Sequence, residues 1–216
     1  MSHHKPQLEH SFSNHLQIIK RIYHEEFNSH GVEKYIEIFL CFVKLFMPGF
    51  WIRNLIKDYR LRNIVLELYI IWKVTLLAWI VCYGVHTDWA VYVAMYFLVD
   101  IVQHLMGLIF LSNVYTFFPS LEKNVAHLAL NVIEIVLAFA VLYLHFHAVG
   151  THGVASTDPV SLLYFSMVTF ATVGYGDIGP ITTLGRAMVG SQILISFLFV
   201  SIVCGSFVAD MRKDRD

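Results

Sequence analysis

Charge is scarce in this chain of 216 residues: Asp, Glu, Lys and Arg together make up 14%, against about 25% in a soluble domain. That excludes intrinsic disorder as an overall reading and leaves too little polar surface for a water-facing protein. The net charge of -1, with His neutral, gives no electrostatic reason to expect a nucleic-acid partner. Cysteine is scarce too. Cys41, Cys82 and Cys204 lie far apart and make neither a disulfide framework nor a metal-ligand spacing. The opening residues MSHHKPQLEH hold no apolar stretch, so no cleavable signal peptide is expected. Cations are nearly missing from one long interval: between residues 64 and 209 only Lys73, Lys123 and Arg186 occur.

What is present is apolar. Hydrophobic residues make up 57% of the chain and aromatics 15%, and the mean hydropathy is +0.61. The cation-poor interval is too long for one crossing, since a span takes about 20 residues. An all-α integral membrane protein is the reading, with spans at 64–85, 89–111, 125–148 and 184–209. Basic residues before the first span and after the fourth place both termini in the cytoplasm, in a plasma or cell inner membrane.

Ahead of the spans, residues 13–28 carry Leu16, Ile19, Ile22, Tyr23 and Phe27 at helical spacing. Residues 33–47 put Lys34, Glu37, Cys41 and Lys44 on one stripe of an otherwise apolar helix that fits the membrane interface and ends at Pro48-Gly49. A basic helix follows with Trp51, Arg53, Lys57, Arg60 and Arg62, cations read as a topology signal near the headgroups.

Residues 149–183 are no ordinary loop. Asp158-Pro159 reads as an N-cap with proline at the first helical position. The apolar stretch 160–171 is too short to cross the membrane, and Gly-alternating backbone comes next. A helix that enters and turns back, followed by irregular backbone, describes a re-entrant loop. Such backbone is tolerated at membrane depth only where protein buries it or water lines it.

The run Thr169-Phe170-Ala171-Thr172-Val173-Gly174-Tyr175-Gly176-Asp177 resembles the filter signature of the tetrameric potassium channels of the pore-loop superfamily. The likeness spans about 125 to 210 and is to prokaryotic-type members, here with four spans per subunit. It implies a homotetramer around one pore, with 125–148 as outer helix, 159–171 as pore helix, 172–177 as filter and 184–209 as inner helix. Residues 1–62 are then cytoplasmic or interfacial helices, 63–112 two accessory spans, 113–124 a cytoplasmic linker and 211–216 a cytoplasmic tail. Potassium would pass through rings of backbone carbonyls from Thr172, Val173, Gly174, Tyr175 and Gly176 that replace its hydration shell. Inward carbonyls need alternating backbone, which Gly174 and Gly176 allow. Thr172 would add a hydroxyl oxygen, and the Val173 and Tyr175 side chains would point away from the axis. Asp177, Tyr164 and Thr169 would support the filter, Tyr164 by a hydrogen bond to Asp177. The resemblance implies the membrane lipids, K⁺ and further copies of this chain as partners, no cofactor beyond the permeant ion, and no enzymatic step.

This sequence departs from family patterns in places. Val168 stands where some relatives carry a Glu, Ala171 replaces a common second Thr, and Ser196 occupies a frequent hinge-glycine position, with Gly190 and Gly205 as alternative flexible points. No span carries the repeated cations of a voltage sensor, so strong voltage gating is not expected. Three buried charges share one depth: at about 1.5 Å per residue, Lys73, Asp100 and Glu134 all fall near the midplane. A charge there costs about 2.5–3.5 kcal/mol, so the three are expected to face each other as a structural or gating network. His127, Asn131 and Glu134 share a helical face, and His104 follows Asp100 by one turn. His145, His147 and His152 gather near Asp158 at the outer mouth, open to a proton- or metal-binding reading.

Three rivals stay open. One is a weakly selective cation channel, and another a non-conducting modulatory subunit. The third is a membrane metalloenzyme using Asp100, His104, His127 and Glu134, which lacks His-x-x-x-His and repeated Glu-x-x-His spacing.

Overall fold

A computed structural model of the protein describes residues 32–56, 58–110 and 121–213. The expected helix at 13–28 and most of the linker at 113–124 lie outside them. In chain order the elements are α1 (Val32–Lys44), α2 (Pro48–Leu55), α3 (Tyr59–Cys82), α4 (Asp88–Phe110), α5 (Leu121–His145), β1 (Val149–Thr151), β2 (Val154–Ala155), α6 (Pro159–Phe170), β3 (Gly179–Pro180) and α7 (Thr183–Lys213). Among the described residues four helices are long and apolar enough to cross a membrane: Arg60–Cys82, Asp88–Gly107, Leu128–His145 and Thr183–Gly205. An intrahelical ladder satisfies every backbone amide where lipid offers no partner, which is why apolar runs of this length become helices.

The helices overrun the apolar runs that mark them in the sequence. α5 begins at Leu121, so residues 121–124 of the expected linker are its first turn, and α7 continues to Lys213. Polar end turns carry no hydropathy signal yet complete the same backbone ladder. Pro48-Gly49 does not merely end α1, which stops at Lys44. Pro48 starts α2, where a missing amide costs nothing.

The described residues fall into two compact units, one of those up to Leu68 with 106–110, the other of Tyr69–Leu105 with 121–213. In the first, α1 and α2 meet at a 71° bend. The Trp51 indole Nε1 donates to the Leu45 carbonyl across that bend at 2.8 Å.

In the second unit α5 is the centre. From Glu134 to Leu144 every one of its side chains is buried, as expected of a helix apolar on all sides. Leu77, Ile80 and Val81 of α3, Ala94, Phe97 and Ile101 of α4, Leu162 and Phe165 of α6 and Phe199 of α7 belong to the same core. Three helices end in the same way. After α3, Gly84 takes φ 60° and the Val85 amide donates to the Ile80 carbonyl. After α5, His147 takes φ 45° and the Ala148 amide donates to the Tyr143 carbonyl. This is the six-to-one bond of a left-handed cap, and it recurs after α6.

The segment after α5 holds a three-stranded antiparallel sheet in the order β2-β1-β3, which periodicity does not foretell because no strand exceeds three residues. Gly150 pairs with both Ala155 and Gly179. A Cβ on Gly150 would lie 1.8 Å from the Val154 carbonyl oxygen, so only glycine fits the central strand there.

Candidate functional site

The segment expected as the filter, 172–177, follows directly on α6. Asp158 caps this helix, accepting from the Ser161 amide at 2.8 Å and the Ser161 hydroxyl at 2.7 Å, with Pro159 at the first position. These bonds hold the Asp158 carboxyl below its ordinary pKa, the Ser161 hydroxyl contributing most. α6 has 12 residues and ends at Phe170, one residue before the expected boundary, with Ala171 as its C-cap.

The junction with the filter is a closed hydrogen-bond motif. The Thr172 amide donates to the Thr169 carbonyl at 3.1 Å and the Val173 amide to the Val168 carbonyl at 3.0 Å. Between those donors Thr172 takes φ 55°. A β-branched residue in the left-handed region costs about 1–2 kcal/mol. Strain of this kind persists where the surroundings over-determine it, and it gathers at functional sites.

Beyond it the handedness alternates. Thr172, Gly174 and Gly176 have φ of 55°, 63° and 81°, while Val173 and Tyr175 do not enter the positive region. A peptide plane that reverses at each residue is what turns successive carbonyls to one side. Sequence reasoning assigns the positive angles to the glycines; that Thr172 shares them follows from its second duty as the helix's left-handed cap.

Around this strand, Val173 and Tyr175 are 51% and 69% exposed within one chain. The Tyr175 ring stacks on Tyr164 at 6.4 Å and 3°. Thr169 is buried. The Asp177 carbonyl accepts from Thr151 Oγ1 at 3.2 Å, and β3 pairs with β1 just after, so the segment after residue 177 is pinned to β1.

Behind the filter lies a buried polar cluster that the motif reading misses. Tyr143 of α5 donates its hydroxyl to Gln192 Oε1 of α7 at 2.7 Å. Gln192 Nε2 donates to the Ser166 carbonyl and to Ser166 Oγ of α6, both at 2.9 Å. Ser166 Oγ donates to the Val136 carbonyl of α5 at 2.8 Å. Ser196 Oγ donates to the Gln192 carbonyl at 2.8 Å, so the frequent hinge position here carries a hydroxyl bonded one turn back. The available signal is an uncharged amide in an apolar helix, which at membrane depth must find partners. Interhelical bonds of this kind average about 0.6 kcal/mol each, so the cluster fixes geometry more than it adds stability.

The three charges expected near the midplane stand together. Lys73 Nζ lies 2.9 Å from Asp100 Oδ2 and 2.8 Å from Glu134 Oε1. Lys73 is 3% exposed and Glu134 fully buried. Lys73 also sits over the rings of Tyr69 and Phe97, at 4.9 and 5.5 Å. The Tyr69 hydroxyl approaches Asp100 Oδ2 at 3.4 Å. One cation therefore joins α3, α4 and α5.

The histidines divide. His86 and His147 stack at 5.6 Å, and His145 Nε2 lies 3.6 Å from Asp88 Oδ1. His104 is exposed in α4, and the side chain of His127 lies outside the described ones. Among the described residues no three His, Cys, Asp or Glu side chains gather where a metal ion could be held.

Residues 131–213 match a family model described as ion channel, a class of transport protein and not of enzyme. With four apolar helices of crossing length among the described residues, the chain is an all-α integral membrane protein whose second half carries the segment that is similar to ion channels. The chain is similar to a protein called two pore potassium channel c of Oryza sativa subsp. japonica, 40% identical over 67 residues, which is 29% of this chain and 15% of the relative. It is similar as well to two proteins of Arabidopsis thaliana. Two-pore potassium channel 2 is 35% identical over 88 residues, 41% of this chain and 18% of the relative. Two-pore potassium channel 5 is 28% identical over 95 residues, 43% and 23%. The matches thus span less than a quarter of each of these relatives. No solved structure matches the chain.

Proposed function

We propose that the chain is the pore-forming subunit of a potassium-selective channel that conducts K⁺ passively as a homotetramer. The observation that carries this is the alternation of positive φ at Thr172, Gly174 and Gly176 on a strand that leaves a helix too short to cross a membrane. Carbonyls of Thr172, Val173, Gly174, Tyr175 and Gly176 would take the place of the ion's water. Asp177, Tyr164 and Thr169 would hold that strand from behind. Potassium channels among the similar proteins and the ion-channel family match support the same ion and process.

One filter strand gives one quarter of each carbonyl ring, so closed symmetry calls for four copies. The exposure of Val173, Tyr175, Leu194, Phe197 and Val200 within one chain is consistent with neighbours supplied by other copies. The orientation follows the basic flanks, with the histidine-bearing segment outside and both termini in the cytoplasm of the cell or inner membrane. The Lys73, Asp100 and Glu134 cluster ties the two accessory spans to the outer pore helix, where a change of charge would be felt by the pore.

The test is flux from liposomes holding purified protein, with reversal potentials in mixed sodium and potassium and barium as blocker. A preference for potassium with barium block supports the reading. Equal permeability to both ions makes the chain a weakly selective cation channel, and absence of flux makes it a modulatory subunit. Native mass spectrometry should find four copies; a dimer as the largest species overturns the assembly.

A further inference from the structure

We propose that Gln192 is a positioning residue for the filter, a buried hydrogen-bonding side chain through which the inner helix α7 sets the height and rotation of the pore helix α6 and hence of the carbonyls that follow it. The inference rests on the channel reading of 172–177 and goes beyond it.

The amide has only one orientation. The Ser166 carbonyl can only accept, so Nε2 must face it, and this leaves Oε1 for the Tyr143 hydroxyl. Both N–H groups are used on Ser166, one on its carbonyl and one on its Oγ. That Oγ spends its own proton on the Val136 carbonyl. Every donor in the cluster is therefore engaged, and Tyr143, Ser166 and Gln192 are all fully buried. A rotation or slide of α6 along α7 breaks several bonds at once and strands buried polar groups, so the arrangement is rigid rather than soft.

The position of Ser166 carries this constraint to the filter. It lies within the last two turns of α6, and the helix does not fray beyond it. The bonds from Thr172 to Thr169 and from Val173 to Val168 lock the first filter residues to the helix end. A displacement at Ser166 thus moves Thr172 and Val173 as part of one body. The Ser196 hydroxyl bonded to the Gln192 carbonyl fastens the next turn of α7 to the same point.

The experiment compares wild type with Gln192→Leu, Ser166→Ala, Tyr143→Phe and the double variant Ser166→Ala/Gln192→Leu, each purified and reconstituted in liposomes. Gln192→Leu keeps the volume and loses all three side-chain bonds. We expect its potassium-over-sodium permeability ratio to fall at least tenfold, and that of Ser166→Ala severalfold. Tyr143→Phe, which removes one donor and leaves both bonds to α6, should stay within twofold of wild type. The double variant should be no worse in selectivity than Gln192→Leu alone, because both act through one contact.

Tetramer melting is measured alongside. A Gln192→Leu tetramer that melts lower but selects like wild type overturns the proposal and leaves Gln192 as packing. If Gln192→Leu does not assemble, Ser166→Ala decides: wild-type selectivity there overturns the proposal, and a lowered ratio supports it. A wild type without potassium preference overturns the potassium-selective reading and this proposal together, whereas a selective wild type with a selective Gln192→Leu overturns this proposal only.

Discussion

Helices α5 and α7 are comparably apolar and both are long enough to cross a membrane, yet one chain treats them differently. Within the chain 61% of Leu128–His145 is buried, against 17% of Thr183–Gly205. α5 has its partners at hand: Lys73 on one side, the pore helix and Gln192 on another. α7 is held along a single stripe, Gln192, Ser196 and Phe199, and leaves Leu194, Phe197 and Val200 open. Helix α5 is covered by its own chain, whereas α7 and residues 173 and 175 leave apolar side chains open within it. The same division separates two kinds of constraint, buried side-chain contacts around α5 and backbone handedness at 172–176.

The largest expected effect tests the second kind. A Cβ on Gly174 or Gly176 meets nothing within 4 Å, so Gly→Ala there is not a crowding change within one chain. Its cost is the positive φ, about 1–2 kcal/mol per residue, repeated in each copy. Gly174→Ala or Gly176→Ala should abolish potassium selectivity or conduction in reversal-potential measurements while the chain still folds. Wild-type selectivity in either variant would break the filter assignment.

The first kind is tested at Lys73. Removing one partner of a buried ion pair costs about 3–5 kcal/mol. Lys73→Met strands Asp100 and the fully buried Glu134, and should lower tetramer melting markedly. Asp100→Asn leaves the Lys73–Glu134 contact and should be milder. The order of the two melting shifts is the measurement, and equal shifts would mean that Lys73 acts through one acid only.

Much of this was legible in the sequence, and the reasons differ by feature. The helices of crossing length are written in long apolar runs, and the positive φ at 174 and 176 in two glycines. The depths of Lys73, Asp100 and Glu134 follow from helical rise alone. The cluster of Tyr143, Ser166 and Gln192 is not legible in this way, because it joins residues 26 and 49 positions apart through three helices whose relative rotation no periodicity states. The outer sheet is hidden for another reason: strands of two or three residues carry no pattern. The left-handed Thr172 runs against propensity, since a helix cap and the alternation of the filter coincide at one residue.

A smaller effect is expected where α5 and α7 meet at the outer edge. The Ala148 carbonyl accepts from the Ile181 amide at 3.0 Å, and a Cβ on Gly185 would lie 2.2 Å from that oxygen. Thr182 caps α7 through its hydroxyl, 2.9 Å from the Gly185 amide. Gly185→Ala must push the two helix ends apart, an overpacking worth about 1–3 kcal/mol. Melting should fall accordingly, and an unchanged melting temperature would show that the two ends are not locked to each other.

The smallest effect lies at Asp158, exposed at the start of the pore helix. Its carboxyl accepts from the amide and hydroxyl of Ser161, and its pKa lies below the ordinary 3.8. A lowered carboxyl pKa means that folding favours the ionised form, so the contribution is complete above the ordinary value and is lost as pH falls through the lowered one. Asp158→Ala removes the cap and should lower melting at neutral pH. Asp158→Asn keeps an oxygen for the Ser161 amide but cannot ionise, and Asn is as good a cap as Asp. It should match wild type near pH 7 and lose less stability than wild type between pH 5 and 3. Melting curves of the three proteins across that range read the cap apart from the buried contacts around α5, none of which Asp158 touches. If Asp158→Asn and wild type fall in parallel with acid, the acid sensitivity of the pore segment comes from elsewhere, and the cap works as a hydrogen bond without help from its charge.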